Sequence, residues 1–163
     1  MGDTADFAAG PWWAVSFEDG WNIEVFDVEG ENRLSHPASG CQFYSYQGFG
    51  GFASTSDDDQ TASEKTLENA VAGGLGLEWQ ATGSPNIVFD RTVLLDAYGY
   101  DEVEMLRYVS DYTVADGSAR ERVFLIRNFQ PSDAVLLAMT DCPAAASGTG
   151  LDFLDTLMVN DMF

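Results

Sequence analysis

The chain has one histidine, His36, in the stretch Leu34-Ser35-His36-Pro37. An imidazole offers a general base or a metal ligand. The sequence holds no G-x-S-x-G nucleophile elbow. A zinc site would have to gather both cysteines and a carboxylate around this single ring. His36 is therefore read as a loop residue. The thiols Cys41 and Cys142 make poor nucleophiles. Neither has a neighbour that would lower its pKa, and Asp141, just before Cys142, works against a thiolate. Gly48 to Ala53 spells GFGGFA, a literal match to G-x-G-x-x-A. A dinucleotide site needs a helix to start at those glycines, whereas Ser-Thr-Ser-Asp-Asp-Asp follows here, and three carboxylates repel a pyrophosphate. Asp57, Asp58 and Asp59 form a weak candidate cation loop. They lack the alternating spacing, glycine and later glutamate of a calcium loop. Otherwise they are a solvated lead-in whose charge suits a helix start at Thr61. Asp90, Asp96 and Glu104 could supply an acid–base pair. With 27 acidic residues in the chain, chance pairs are cheap, and no dyad stands out. The expectation is a protein with no catalytic residue and no cofactor.

Binding is the remaining class of chemistry. Trp12, Trp13, Trp21, Tyr44 and Tyr46, with Phe49 and Phe52, are the aromatics that could line a ligand groove. The competing reading is plain core, since aromatic residues favour strands and large buried areas. Charge narrows the ligand. Twenty-seven acidic residues against seven basic ones give a net charge of −20, which repels phosphate backbones and anionic lipid surfaces. Nucleic acid is excluded as a partner. The acids are scattered along the chain, which points to solubility; a single acidic face for a basic partner is the alternative.

The positioning elements follow from pattern. A chain of 163 residues suits one domain. Residues 1–12 are expected to be a polar tether and 13–163 a single domain. No apolar run reaches the ~18–20 residues needed to span a bilayer, and the start has neither the basic n-region nor the apolar h-region of a signal peptide. WWAVSFED and WNIEVFDVEG read as strands joined in a hairpin at Asp19-Gly20. ENRLSHPASG reads as a polar connection and CQFYSYQGF as a third strand, with Phe43 on one face and Tyr44 and Tyr46 on the other. A helix is expected from Thr61, with a Thr61–Glu64 capping box, a stripe of Leu67, Ala70 and Val71, and a stop at Gly73-Gly74. Two long strands follow over 86–100 and 101–114, joined near Gly99. In the second, Met105, Arg107, Val109 and Asp111 share one face and Leu106, Tyr108, Ser110 and Tyr112 the other. RERVFLIRNFQ and DAVLLAMTD are two further strands. The last is nearly all apolar and should lie at the centre, covered on both faces. GTGLDFLDTLMVNDMF is expected to be a terminal helix capped by Thr149, with Leu151, Leu154 and Met158 inward. These elements give an α+β domain: a mostly antiparallel sheet of about six to seven strands flanked by helices, an α/β/α sandwich.

This order resembles the PsbP-like fold, shared by a photosystem II extrinsic protein, a Ran-binding import factor and many bacterial lipoproteins. The pieces that carry the resemblance are the opening VSFEDGWNIEVFD, the capped helix after the third strand, and the ending VLLAMTDCPAAASGTGLDFLDTLMVNDMF. It covers about residues 15–163. It implies an extracytoplasmic domain, behind a lipid-modified cysteine in a precursor segment, that binds a protein or cell-envelope ligand. In such a setting Cys41 and Cys142 are candidates to form a disulfide; two separate thiols are the alternative. Reduced thiols and one acidic face would instead indicate an intracellular chaperone- or immunity-like protein that binds a basic partner.

Overall fold

A computed structural model describes residues 11–16, 20–49, 58–73, 86–95, 102–130 and 132–160. In chain order these form β1 (Trp12–Ala14), β2 (Asn22–Val28), β3 (Glu31–His36), β4 (Cys41–Phe49), α1 (Asp59–Gly73), β5 (Asn86–Leu95), β6 (Glu102–Thr113), β7 (Ala119–Phe129), β8 (Ala134–Pro143), a 3-10 turn over Ala144–Ala146, α2 (Ser147–Leu154) and β9 (Met158–Asn160). The sequence Ala-Val-Leu-Leu-Ala-Met-Thr in β8 has no polar alternation, so neither of its faces tolerates water. It takes the middle of a seven-stranded antiparallel sheet ordered β2-β3-β4-β8-β7-β6-β5. Ala134, Leu136 and Ala138 point into one core with Phe43, Met105, Val123 and Leu125. Val135, Leu137 and Met139 point into a second core with Leu106, Tyr108, Phe124 and Ile126. The expected faces of β4 and β6 are those observed.

Each core has its own cover. Leu67 of α1 seals the second. Phe153 and Leu154 of α2, with Trp13 and Val159 from a separate two-stranded sheet of β1 and β9, seal the first. Gly150 lets α2 lie close on β8, since a Cβ there would stand 2.7 Å from Cys142 Sγ and 3.0 Å from Thr140 Oγ1. Cys41 and Cys142 are joined in a buried disulfide between adjacent strands β4 and β8, with Cα atoms 4.2 Å apart. That excludes the separate thiols. No helix among the described residues is long and apolar enough to cross a membrane.

Four expectations are corrected. First, β1 pairs with β9 and β2 with β3, so the strands flanking Asp19-Gly20 do not form a hairpin with each other; residues 17–19 lie outside the described residues. Second, Glu31–His36 is a strand. Leu34 anchors it in the core, and buried Asn32 donates from Nδ2 to Ser45 Oγ at 3.0 Å. Third, the terminal helix stops at Leu154. Its last turn tightens as the Thr156 amide bonds to the Phe153 carbonyl and that of Leu157 to the Leu154 carbonyl. Met158 then enters β9, where Val159 closes over the core beside Trp13, while Thr149 lies inside the helix and no side chain caps it. Leu151 and Leu154 do face inward.

The fourth correction concerns the aspartate run. The helix starts at Asp59, not Thr61. The Thr61 amide bonds to Asp58 Oδ1 at 2.8 Å, so Asp58 is the cap, and this hydrogen bond holds its carboxyl below the usual range. Asp59 is buried. It accepts from Arg127 Nη2 at 2.9 Å and from the Gln130 amide at 2.7 Å. Ser63 accepts from the Asn128 amide at 2.8 Å. Pairing between β6 and β7 ends at Leu106–Ile126. Beyond it, Asp59 and Ser63 take the place of a neighbouring strand for the amides of β7, and Arg127 reaches the Glu104 carbonyl at 3.0 Å. Asp58, exposed, and Asp59, buried, thus both accept from protein donors, and Asp57 lies outside the described residues.

Candidate functional site

Three of the aromatics considered for a groove, Trp12, Tyr46 and Phe49, line one cleft, built where β1, β4 and the turn between β2 and β3 meet. The β2–β3 turn has Glu29 at φ 54° and Gly30 at φ 82°, the two positive values a type I′ hairpin requires. Gly30 cannot be replaced without strain, because a Cβ there would lie 2.0 Å from the Gln47 carbonyl oxygen. This contact ties the turn to β4, where the Gln47 amide donates to the Gly30 carbonyl at 3.0 Å. Just before the turn, Asp27 is also at positive φ, 50°, and its amide donates to Asn32 Oδ1 at 2.9 Å. The buried Asn32–Ser45 pair thereby fixes where the Asp27 carboxylate stands.

The opposite wall comes from β4 and β1. Tyr46 folds along its own strand over Gly48; a Cβ at 48 would stand 2.3 Å from Tyr46 Oη. The Trp13 amide donates to Gln47 Oε1 at 2.7 Å, and its indole N–H is shared between the carbonyls of Leu137 and Tyr46 at 2.9 and 3.2 Å. This buried anchor holds Trp12 at the rim. The result is an open cleft of about 280 Å³ bounded by Trp12, Tyr46, Gly48, Phe49, Asp27 and Glu29. Phe49 is 66% exposed. Edge strand β2 runs away from the cleft with Ile23, Phe26 and Val28 each more than half exposed. The charged groups lining the cleft are both carboxylates, so with its aromatic faces it suits a cation attached to an apolar or planar group.

The other predicted groove residues lie elsewhere. Trp13 is core. Trp21 packs against Phe153 with ring centroids 4.4 Å apart and against His36 at 5.3 Å. Tyr44 lies two residues from Tyr46 on the α1 face of the sheet. Burial first, and then the Glu31 carboxylate that accepts its hydroxyl at 3.3 Å, push its pKa up to about 12. Phe52 lies outside the described residues. Sequence reasoning missed Asp27 and Glu29. Their role depends on positive φ in a turn whose first central residue is a glutamate, and glutamate is not a turn signal.

Residues that could do other chemistry are occupied. His36 ends β3 half-buried instead of sitting in a loop, with Nδ1 2.8 Å from Ser39 Oγ. Buried Asp141 receives four donors: Arg120 Nε at 2.5 Å, Arg122 Nε at 2.7 Å, Arg122 Nη2, and Tyr112 Oη at 2.5 Å. A carboxylate so filled has no lone pair left for a substrate proton. Burial, then the Asp141 hydrogen bond, raise the Tyr112 pKa. Glu104 is paired with Arg91 at 2.8 Å, exposed Asp90 accepts from the Arg91 amide, and Asp96 lies outside the described residues.

The fold and site thus define an α+β domain with an antiparallel sheet, a cross-strand disulfide and an acidic, aromatic surface cleft. No family model matches the chain, and no curated protein is similar to it. Among solved structures it is similar to a protein of Bacteroides thetaiotaomicron VPI-5482, at 12% identity and a TM-score of 0.40. That likeness covers 91% of this chain and 47% of the other, so the chain spans about half the length of that protein.

Proposed function

We propose that this chain is a non-enzymatic binding domain that works outside the cytoplasm, carried in its native precursor on a lipid anchor, and that it docks a protein partner at the Trp12–Tyr46–Phe49 cleft. The observation that carries the reading is the composition of that cleft. Exposed Phe49 and half-buried Trp12 and Tyr46 stand beside two carboxylates fixed by a turn, and side chains of β2 that are more than half exposed continue the surface. Anchors of this kind dominate the energetics of recognition, and the partner segment complementary to it is cationic and apolar. The buried disulfide supports the extracytoplasmic part, because such bonds persist in oxidising compartments; it counts against an intracellular acidic protein with reduced thiols. A PsbP-like sandwich is the finer architectural reading. Its support is the apolar central strand, the small-residue connection after it, and a helix on each sheet face.

The test is an amide NMR titration of the oxidised protein with a Lys-Val-Lys-Val peptide, its Glu-Val-Glu-Val counterpart and a chito-oligosaccharide. Shifts at residues 27–30 and 46–49 with the lysine peptide alone, weakened by salt and by Phe49→Ala, are expected. Equal response to the glutamate peptide, or a response to the glycan alone, sinks the docking assignment. A hydrolase or transferase activity lost on replacing His36 sinks the non-enzymatic one.

A further inference from the structure

A second site shares no lining residue with that cleft and lies on the face of the sheet that α2 covers. Along β6 this face reads Val103, Met105, Arg107, Val109, so an arginine stands in an otherwise apolar row. Its strand neighbours are Leu125 on β7 and Asp90 on β5. Between these strands and the edge of α2 is a cavity of about 210 Å³. Leu94, Val123, Leu125 and Leu154 wall it, half-buried Arg107 enters it, and exposed Asp155 stands at its mouth.

The ion pairing makes this arginine unusual. Every other arginine of the chain is hydrogen-bonded to a carboxylate: Arg33 to Glu31, Arg91 to Glu104, Arg120 and Arg122 to Asp141, and Arg127 to Asp59. Arg107 makes no such bond among the described residues, although acids outnumber bases by 27 to 7 in the full chain. Glu121 feels its field, but that carboxylate is hydrogen-bonded to Ser147 and stands against Asp111. A guanidinium has five donors in a planar fork matched to a carboxylate. One with no carboxylate hydrogen-bonded to it among the described residues, in a cavity walled mainly by leucine and valine side chains, is a built receptor for a carboxylate that brings its own apolar body.

We propose that this cavity binds a small monocarboxylate whose hydrocarbon tail fills the space between Leu125 and Leu154 and whose head pairs with Arg107. The volume equals that of about seven waters, which sets the size at roughly that of a six-carbon acid. Asp155 at the mouth selects against dianions and longer polar tails.

The experiment is a methyl NMR titration of the oxidised full chain with hexanoate, 1-hexanol and hexylamine, followed at Val123, Leu125 and Leu154. Hexanoate is expected to bind at least about tenfold more tightly than 1-hexanol, since a hydrogen bond between charged groups is worth about one such factor or more. Arg107→Gln should remove that advantage, and Asp155→Asn should raise hexanoate affinity. Arg107 holds no hydrogen bond to a carboxylate among the described residues, so the variant is expected to fold; Arg107→Lys, which keeps the charge but not the fork, should retain part of the binding. Equal binding of acid and alcohol, preference for the amine, hexanoate binding unchanged in Arg107→Gln, or no methyl shift with any of the three overturns the proposal.

Discussion

Replacing Asp59 by alanine should remove a large fraction of the stability of this fold. Its carboxylate accepts from the Gln130 amide and from Arg127, and it is 1% exposed. Without it the Gln130 amide is left buried with no acceptor at that position, which costs about 1–3 kcal/mol. The Arg127 guanidinium becomes a buried charge without its counter-ion, which brings the cost of breaking such a pair to about 3–5 kcal/mol. A domain of this size is stable by about 5–15 kcal/mol in all. Asp59→Ala should therefore lose about 3–5 kcal/mol in guanidinium unfolding of the oxidised protein, and the amides of Asn128 and Gln130 should exchange faster with solvent. Ser63→Ala, which deprives the Asn128 amide alone, should cost about 1–3 kcal/mol. The double change Asp59→Leu with Arg127→Met removes both charges together and should be less damaging than Asp59→Ala. A loss under about 1 kcal/mol for Asp59→Ala, or unchanged exchange at Gln130, would refute the idea that α1 stands in for a strand along the splayed part of β7.

Three further outcomes follow from the same structure. Intact mass after alkylation should show no modified thiol until the protein is reduced, and the Cys41→Ser, Cys142→Ser variant should lose up to about 4–5 kcal/mol for a closed loop of this length in the chain-entropy account. Gly30→Ala combines positive φ with a Cβ 2.0 Å from the Gln47 carbonyl; it should cost about 1–3 kcal/mol and move the amide resonances of residues 46–49. Stability should vary with pH in two opposite ways. Asp58 and Asp116 have depressed pKa values, so their contribution is present above the unfolded value of 3.8 and is lost as pH falls through the folded one. Glu121 is raised by burial and then by Asp111, so its penalty is absent below the unfolded value of 4.5 and grows as pH rises through the folded one. Glu121→Gln should then be more stable than the parent at neutral pH, and the gap should close below about pH 4.

Much of the sheet was legible in the sequence. The span Cys41–Phe49 and the opposed faces of Phe43 and Tyr44 follow from period two, and the centrality of β8 follows from its missing polar residues. What was not legible depends on distant partners. Glu31–His36 is polar because Leu34 alone has to reach the core, while Asn32 finds its partner 13 residues away in Ser45. Met158–Asn160 continues a helical pattern in sequence, but Trp13, far upstream, needs a lid. Asp59 looks like a solvated charge until Arg127 and Gln130, about 70 residues on, are brought to it. The same holds for the cleft. Trp12, Tyr46 and Phe49 are visible as aromatics, whereas Asp27 and Glu29 join them only through backbone angles that their residue types do not announce.

The bridge between Cys41 and Cys142, 101 residues apart in sequence, also makes the molecule a covalent ring with two tails. The ring runs from β4 through α1 and β5 to β7 into β8; one tail carries β1 to β3 and the other α2 and β9, and β1 pairs with β9. A protease cut in any loop inside the ring leaves both pieces attached until a reductant is added. A force applied at the two ends would peel β1 from β9 and strip β2 and β3, and then meet the bridge. About 330–360 Å of chain, at 3.3–3.6 Å per residue, would stay out of reach. Under load the domain is a short tether with a hard stop, and its central strands are shielded from the pull.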